Sequence, residues 1–179
     1  MKALTPGRAF EQEILGITDL GNEAGFYTYP KLIELEHALR YVINHNWVTY
    51  ADSLAKGHDF CHNPMSPKVG KTREIWEAVK DFLPGKVGEY TKVKVPLNLY
   101  IAIGMNSLDY RLGVDAFFWW QGVYATIDVT TSKGKHLRGF GADFLFTRKE
   151  VEPVRLREFG KEVAALLIKR RELLSKQSD

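Results

Sequence analysis

Two aspartates with twelve residues between them, Asp115 and Asp128 in GVDAFFWWQGVYATIDVTT, are the residues of this chain best placed to do chemistry. If Gln121-Gly122 forms a tight turn, residues whose numbers sum to 243 face each other, and Asp115 lies directly opposite Asp128. Side chains alternate across a strand and opposed residues share a face. One face then reads Asp115, Phe117, Trp119, Tyr124, Thr126, Asp128, Thr130. The other, Ala116, Phe118, Trp120, Val123, Ala125, Ile127, Val129, is wholly apolar and fit for burial. Like charges opposite one another destabilise a sheet, so the arrangement calls for a cause. A divalent cation between the carboxylates relieves the repulsion, and hard cations prefer oxygen ligands.

The elements that must position this pair follow from periodicity. A short helix is expected around Phe10–Leu15. From Lys31 to about Asn46, and on toward Ala55, Leu32, Leu35, Leu39, Val42 and Ile43 recur at helical spacing after Pro30. Residues 57–71 read as a loop. Thr72 is a candidate cap for a helix through Leu83, with Ile75, Val79 and Phe82 inward and Pro84-Gly85 as its stop. After Pro96 the period changes to two, and Leu97, Leu99, Ile101 and Ile103 predict a strand. The hairpin follows at 113–120 and 123–130. A Lys/Gly-rich connection (Thr131–Ala142) leads to a short strand at Asp143–Thr147. A long helix begins near Pro153, with Leu156, Phe159, Val163, Leu167 and Leu174 on one stripe.

At 179 residues the chain makes one domain, and its 45% hydrophobic content is ample for a core. No apolar stretch is long enough to span a membrane, and the N-terminus does not read as a signal peptide. The single Cys61 excludes an internal disulfide and fits a cytoplasmic location. Net charge is only +3, yet residues 131–179 hold 12 Lys/Arg against 7 Asp/Glu. That basic C-terminal part suits a polyanion, although on charge alone a solvated helix face is the simpler explanation.

This order of elements, with an Asp entering a hairpin and a second acid near its end, resembles the PD-(D/E)XK nuclease superfamily. Gly113-Val114-Asp115 stands where the family has its first acid, and Ile127-Asp128-Val129-Thr130 where it has its acid-x-Lys tripeptide. Thr130 occupies the position of the usual Lys. The match covers roughly residues 72–175. It implies an α/β fold, a restriction-endonuclease-like αβββαβ sandwich around a mixed sheet. Residues 72–179 would form that core, and residues 1–71 an N-terminal helical extension packed on it. It also implies assembly as a homodimer or larger oligomer, although no residue here marks the interface.

The activity implied is Mg²⁺-dependent hydrolysis of DNA phosphodiester bonds, with Mn²⁺ as a substitute metal. Asp115 and Asp128 would bind the cation, with the Val129 carbonyl as a further ligand. Lys133 or Lys135, just beyond the strand, would replace the missing lysine. His136 and Arg138 on the same connection would hold backbone phosphates, since ionic contacts supply most nonspecific nucleic-acid affinity. Superfamily nucleases often add a helical Glu, and Glu74, at the edge of its helix's apolar stripe, ranks ahead of Glu36 and Glu77.

Other motifs carry less. SPKVGKT has Met65 where a phosphate-binding loop needs its first Gly, and no strand precedes it. His58, Cys61 and His62 supply three zinc-type ligands with no second pair to complete four. Trp119 and Trp120 read as packing. Lys169-Arg170-Arg171 reads as a solvated face that favours a helix C-terminus. Two rival readings stand beside the nuclease: the same fold as a catalytically inactive nucleic-acid-binding or assembly protein, which Thr130 favours, and an unrelated α/β protein whose hairpin acids are solvated.

Overall fold

The computed structural model describes residues 5–16, 35–57, 62–84, 96–102, 108, 112–131 and 141–177. It is an α/β structure. Among the described residues four helices flank a four-stranded mixed sheet. The helices are α1 (Pro6–Leu15), α2 (Leu35–Ala55), α3 (Thr72–Lys80) and α4 (Pro153–Lys176). The strands are β1 (Asn98–Ile101), β2 (Ala116–Trp120), β3 (Val123–Val129) and β4 (Phe144–Phe146). Strand order is β1-β2-β3-β4. The first three form an antiparallel meander, and β4 lies parallel to β3.

Both faces of the sheet are covered. Leu99, Ile101, Phe118, Ile127 and Phe146 pack against Phe10 and Ile14 of α1, Ile75 and Val79 of α3, and Phe159, Val163 and Leu167 of α4. Tyr100 and Phe117 on the opposite face pack against Ala38, Leu39 and Val42 of α2, with Leu108 and Val114. Each fully buried aliphatic or phenyl side chain contributes about 1.5–3 kcal/mol, so these two layers dominate the stability. The helices α1 and α2, grouped by the sequence as an extension, thus supply one side each of the two apolar clusters.

Local chemistry explains the helix ends. Thr5 caps α1 by accepting from the Arg8 N–H, Pro6 occupies its first turn, and Gly16 at φ 81° ends it with an N–H to the Gln12 carbonyl. Thr72, expected as a cap, is instead the first residue of α3; its hydroxyl donates to the Val69 carbonyl and Lys71 holds the cap position. The helix ends at Lys80, short of Leu83. α3 and α4 approach so closely that a Cβ on Gly160 would lie 2.3 Å from the Ala78 carbonyl oxygen.

The outer edge of β1 is sealed by side chains. Asn46, 1% exposed on α2, accepts from the Ile101 N–H (3.1 Å) and donates to the Ile101 and Val42 carbonyls (2.8 and 2.9 Å). Two residues away, the Leu99 N–H donates to the Pro64 carbonyl and His62 Nε2 donates to the Leu99 carbonyl. An exposed edge strand invites pairing with another chain, and these contacts remove that edge. Among the described residues no helix is long and apolar enough to cross a membrane.

Candidate metal centre

The hairpin is set by its turn. Gln121 and Gly122 both have positive φ, 49° and 84°, the requirement of the two-residue turn whose twist suits a hairpin. The resulting ladder runs from Trp120↔Val123 to Ala116↔Ile127, the register expected from the sequence. It stops one pair short of Asp115.

At that point the strand departs from regular pairing. The Asp115 N–H donates to the Ile127 carbonyl (2.9 Å), although Ile127 already pairs with Ala116. Two consecutive residues thus face one, the pattern of a β-bulge, a device that re-aims a side chain. The Asp115 carboxylate reaches the neighbouring strand, and its Oδ2 accepts the Val129 N–H at 2.7 Å. The Asp115 carbonyl in turn accepts from Ala102 N–H at the end of β1 (2.8 Å). Asp115 is therefore fixed between the two strands that flank β2, its carboxylate bonded to the residue next to Asp128.

Asp115 and Asp128 are each 4% exposed. Thr126 and Thr130, on the same alternating positions of β3 as Asp128, are equally buried, so this end of the strand presents a buried polar row. Carboxylates are seldom buried without partners, because desolvation of an ion is costly. Val129 contributes its N–H to Asp115, and Thr130, where the lysine was expected, donates its N–H to the Phe146 carbonyl (3.0 Å). Lys133, Lys135, His136 and Arg138 lie outside the described residues. Glu74 is exposed on α3, which packs on the apolar face, and lines a cleft with Phe82, Leu156 and Arg157.

A different acid lies on α1, which shares the apolar face with α3 but approaches the carboxyl end of β3. α1 rests on the carboxyl end of β3, where a Cβ on Gly7 would lie 3.6 Å from the Thr131 hydroxyl oxygen. Glu11, one turn after Gly7, is half-buried among Phe10, Ile14 and Leu15 on the inward stripe. The signal was available: in PGRAFEQEIL, Glu11 falls at the helical spacing of the apolar residues rather than opposite them. Among the described residues no group of three or more His, Cys, Asp or Glu gathers as a metal cluster. Two carboxylates suit Mg²⁺, which is commonly held by one or two together with water and substrate phosphate oxygens.

No protein-family model, curated protein or solved structure matches the chain.

The remaining sequence motifs resolve into structural parts. In SPKVGKT, Gly70 adopts φ 53°, and a Cβ there would meet the Glu13 and Ile14 carbonyl oxygens at 2.8 and 2.7 Å. The Lys71 N–H donates to the Ile14 carbonyl, so the C-terminus of α1 fills the space a phosphate would need. His62 is 7% exposed. Burial lowers its pKa to about 4, a Leu99 backbone hydrogen bond opposing in part, so the imidazole is neutral. Its Nδ1 is buried with no hydrogen-bond partner among the described residues. His58 and Cys61 lie outside them. Burial also raises the Tyr100 pKa, partly offset by a hydrogen bond from Trp47.

Within the basic run of α4, Arg170 grips both oxygens of Asp143 (2.7 and 2.8 Å) and donates to the Tyr124 carbonyl. Arg171 donates to the Gln121 side chain at 3.2 Å. Two of the three basic residues expected as a solvated face thus tie α4 to the hairpin.

Proposed function

We propose that the chain is a Mg²⁺-dependent nuclease that hydrolyses DNA phosphodiester bonds, with Asp115 and Asp128 as its metal ligands. The carrying observation is the bulge that turns the Asp115 carboxylate onto the residue adjacent to Asp128, burying both acids at one end of the sheet. The cation would supply charge neutralisation at the phosphate and acidify an attacking water. Mn²⁺ would substitute. The chain's own part is positional: β3 carries Asp128, the Val129 N–H holds Asp115, and burial excludes competing water. Lys133 or Lys135 is assigned the role of orienting the attacking water, with His136 and Arg138 on phosphates. Glu74 and Glu11 both lie on helices that pack on the apolar face of the sheet, so neither is assigned to the metal. The restriction-endonuclease-like fold belongs to the same proposal, supported by the antiparallel meander followed by a parallel fourth strand.

The test is incubation of supercoiled plasmid and single-stranded DNA with the protein in Mg²⁺, Mn²⁺ or EDTA, with Asp128→Asn as control. Cleavage that needs metal and vanishes in the variant is the expected result. Metal-dependent thermal stabilisation, lost in Asp128→Asn, provides a readout independent of turnover. A second reading, a catalytically inactive nucleic-acid-binding or assembly protein, is favoured by Thr130 at the lysine position. It requires DNA binding that survives chelation without cleavage.

A further inference from the structure

One end of the sheet gathers more than the acid pair. β3 and β4 are parallel, so their carboxyl ends lie side by side, joined by the Thr130 N–H to the Phe146 carbonyl. Asp128 and Thr130 lie at the end of β3, and Thr147, Arg148 and Lys149 follow β4. Adjacent strands are about 4.8 Å apart, so the turn after β4 is a close neighbour of the acid-bearing strand. A groove of about 780 Å³ opens between β4 and α4, and its lining extends from Thr131, just beyond the acid-bearing strand, to Arg148 and Lys149.

The charges along this groove are unequally committed. Asp143 is ion-paired with Arg170 at 2.7 Å. Glu158 meets Arg155 at 2.9 Å in an exposed pair, and Glu162 on the same wall is exposed. Glu150 turns back to accept the Thr147 N–H and hydroxyl at 2.7 and 2.6 Å. Arg148 is different: its guanidinium stacks over the Phe10 ring, 4.9 Å from the centroid, and its contact with Glu13 is a 3.9 Å pair between largely exposed groups. Such exposed pairs are worth about 1 kcal/mol at most and yield readily to a polyanion. Lys149, beside it, is exposed.

We infer that the groove between β4 and α4 carries the sugar–phosphate backbone of the nucleic acid strand engaged at the acid pair, with Arg148 and Lys149 as its phosphate contacts. The inference rests on the nuclease reading and adds the strand's path away from the metal centre. Contacts of this kind confer affinity without sequence preference and make binding salt-dependent.

The experiment measures binding of labelled single-stranded and duplex DNA to full-length Asp128→Asn protein across a salt series. It is repeated with Arg148→Gln and Lys149→Gln added, and separately with Lys169→Gln, an exposed cation elsewhere on α4. Loss of two phosphate contacts is expected to weaken binding about tenfold or more, equally for different sequences, and to lower the salt slope by about two. Lys169→Gln is expected to leave both unchanged. Unaltered affinity and slope in the Arg148/Lys149 variant, with the parent still binding, overturn the groove assignment alone. A parent that binds neither DNA form at low salt overturns the nuclease reading and the groove with it.

Discussion

Asn46 and Asp115 perform the same kind of work at the same end of the sheet, one on the outer edge of β1 and one between β1 and β3, and the difference between them is instructive. Each is a buried side chain that completes backbone hydrogen bonding where the regular ladder stops. Asn46 is neutral and matches the Ile101 N–H and carbonyl with one acceptor and one donor. Asp115 meets the Val129 N–H with a carboxylate. A neutral amide would accept from that N–H as well, without placing a second acid against the residue next to Asp128. The edge of β1 is therefore closed by a neutral group, whereas the mouth of the hairpin buries two acids close together, the arrangement on which the proposed cation site rests.

Substitutions can break this comparison in order of effect. The largest expected change is in turnover: Asp115→Asn and Asp128→Asn should each lower metal-dependent DNA cleavage by roughly a thousandfold, about 4 kcal/mol of barrier, without unfolding the protein. Cleavage rates paired with circular dichroism melts check this, and near-normal cleavage in either variant removes that acid from the centre. Next is Asn46→Ala, which leaves both Ile101 backbone groups buried without partners and should cost about 3 kcal/mol in a urea titration. A loss under 1 kcal/mol would mean that water or a shift of α2 replaces the amide.

His62 sharpens the contrast through pH. Its folded pKa, about 4, lies below the ordinary 6.5 because burial disfavours the cation. Between those values the unfolded chain binds more protons. Stability is thus complete above about pH 6.5 and falls as pH drops toward 4, by at most about 3 kcal/mol. His62→Gln retains a donor for the Leu99 carbonyl and should flatten that dependence; an unchanged pH profile would show that other groups cause it. The smallest effect separates shape from charge at Asp115. Asp115→Ala, leaving the Val129 N–H without its acceptor, should cost about 2 kcal/mol, while Asp115→Asn should be neutral or stabilising in the absence of metal. Equal destabilisation by both would show that the charge itself supports the fold.

Much of the hairpin was legible because its logic is local. Gln121-Gly122 sits between two apolar runs, and once these residues form the turn, parity assigns every side chain from 116 to 127. The bulge at Asp115 was not, since it arises where β1, β2 and β3 meet and no short-range pattern encodes it. Asn46 was readable in part: it follows Leu39 and Val42 at helical spacing, a polar residue in an apolar stripe, but only the tertiary approach of Ile101 explains it. Glu11 carries less signal, because α1 is only ten residues long and its apolar stripe is short. Lys133, Lys135, His136 and Arg138 share the 131–142 connection with Gly134, Gly139 and Gly141, a composition that fixes no periodicity from which to read direction.

The grip of Arg170 on Asp143 and Tyr124 also sets an order of events during synthesis. The sheet residues it joins leave the ribosome 27 and 46 positions ahead of it. Until the start of α4 emerges Phe146 lacks its Phe159 neighbour, and until its later turns emerge Asp143 lacks its Arg170 clamp. The nascent chain thus carries its acid pair on an unfinished sheet until α4 packs against it.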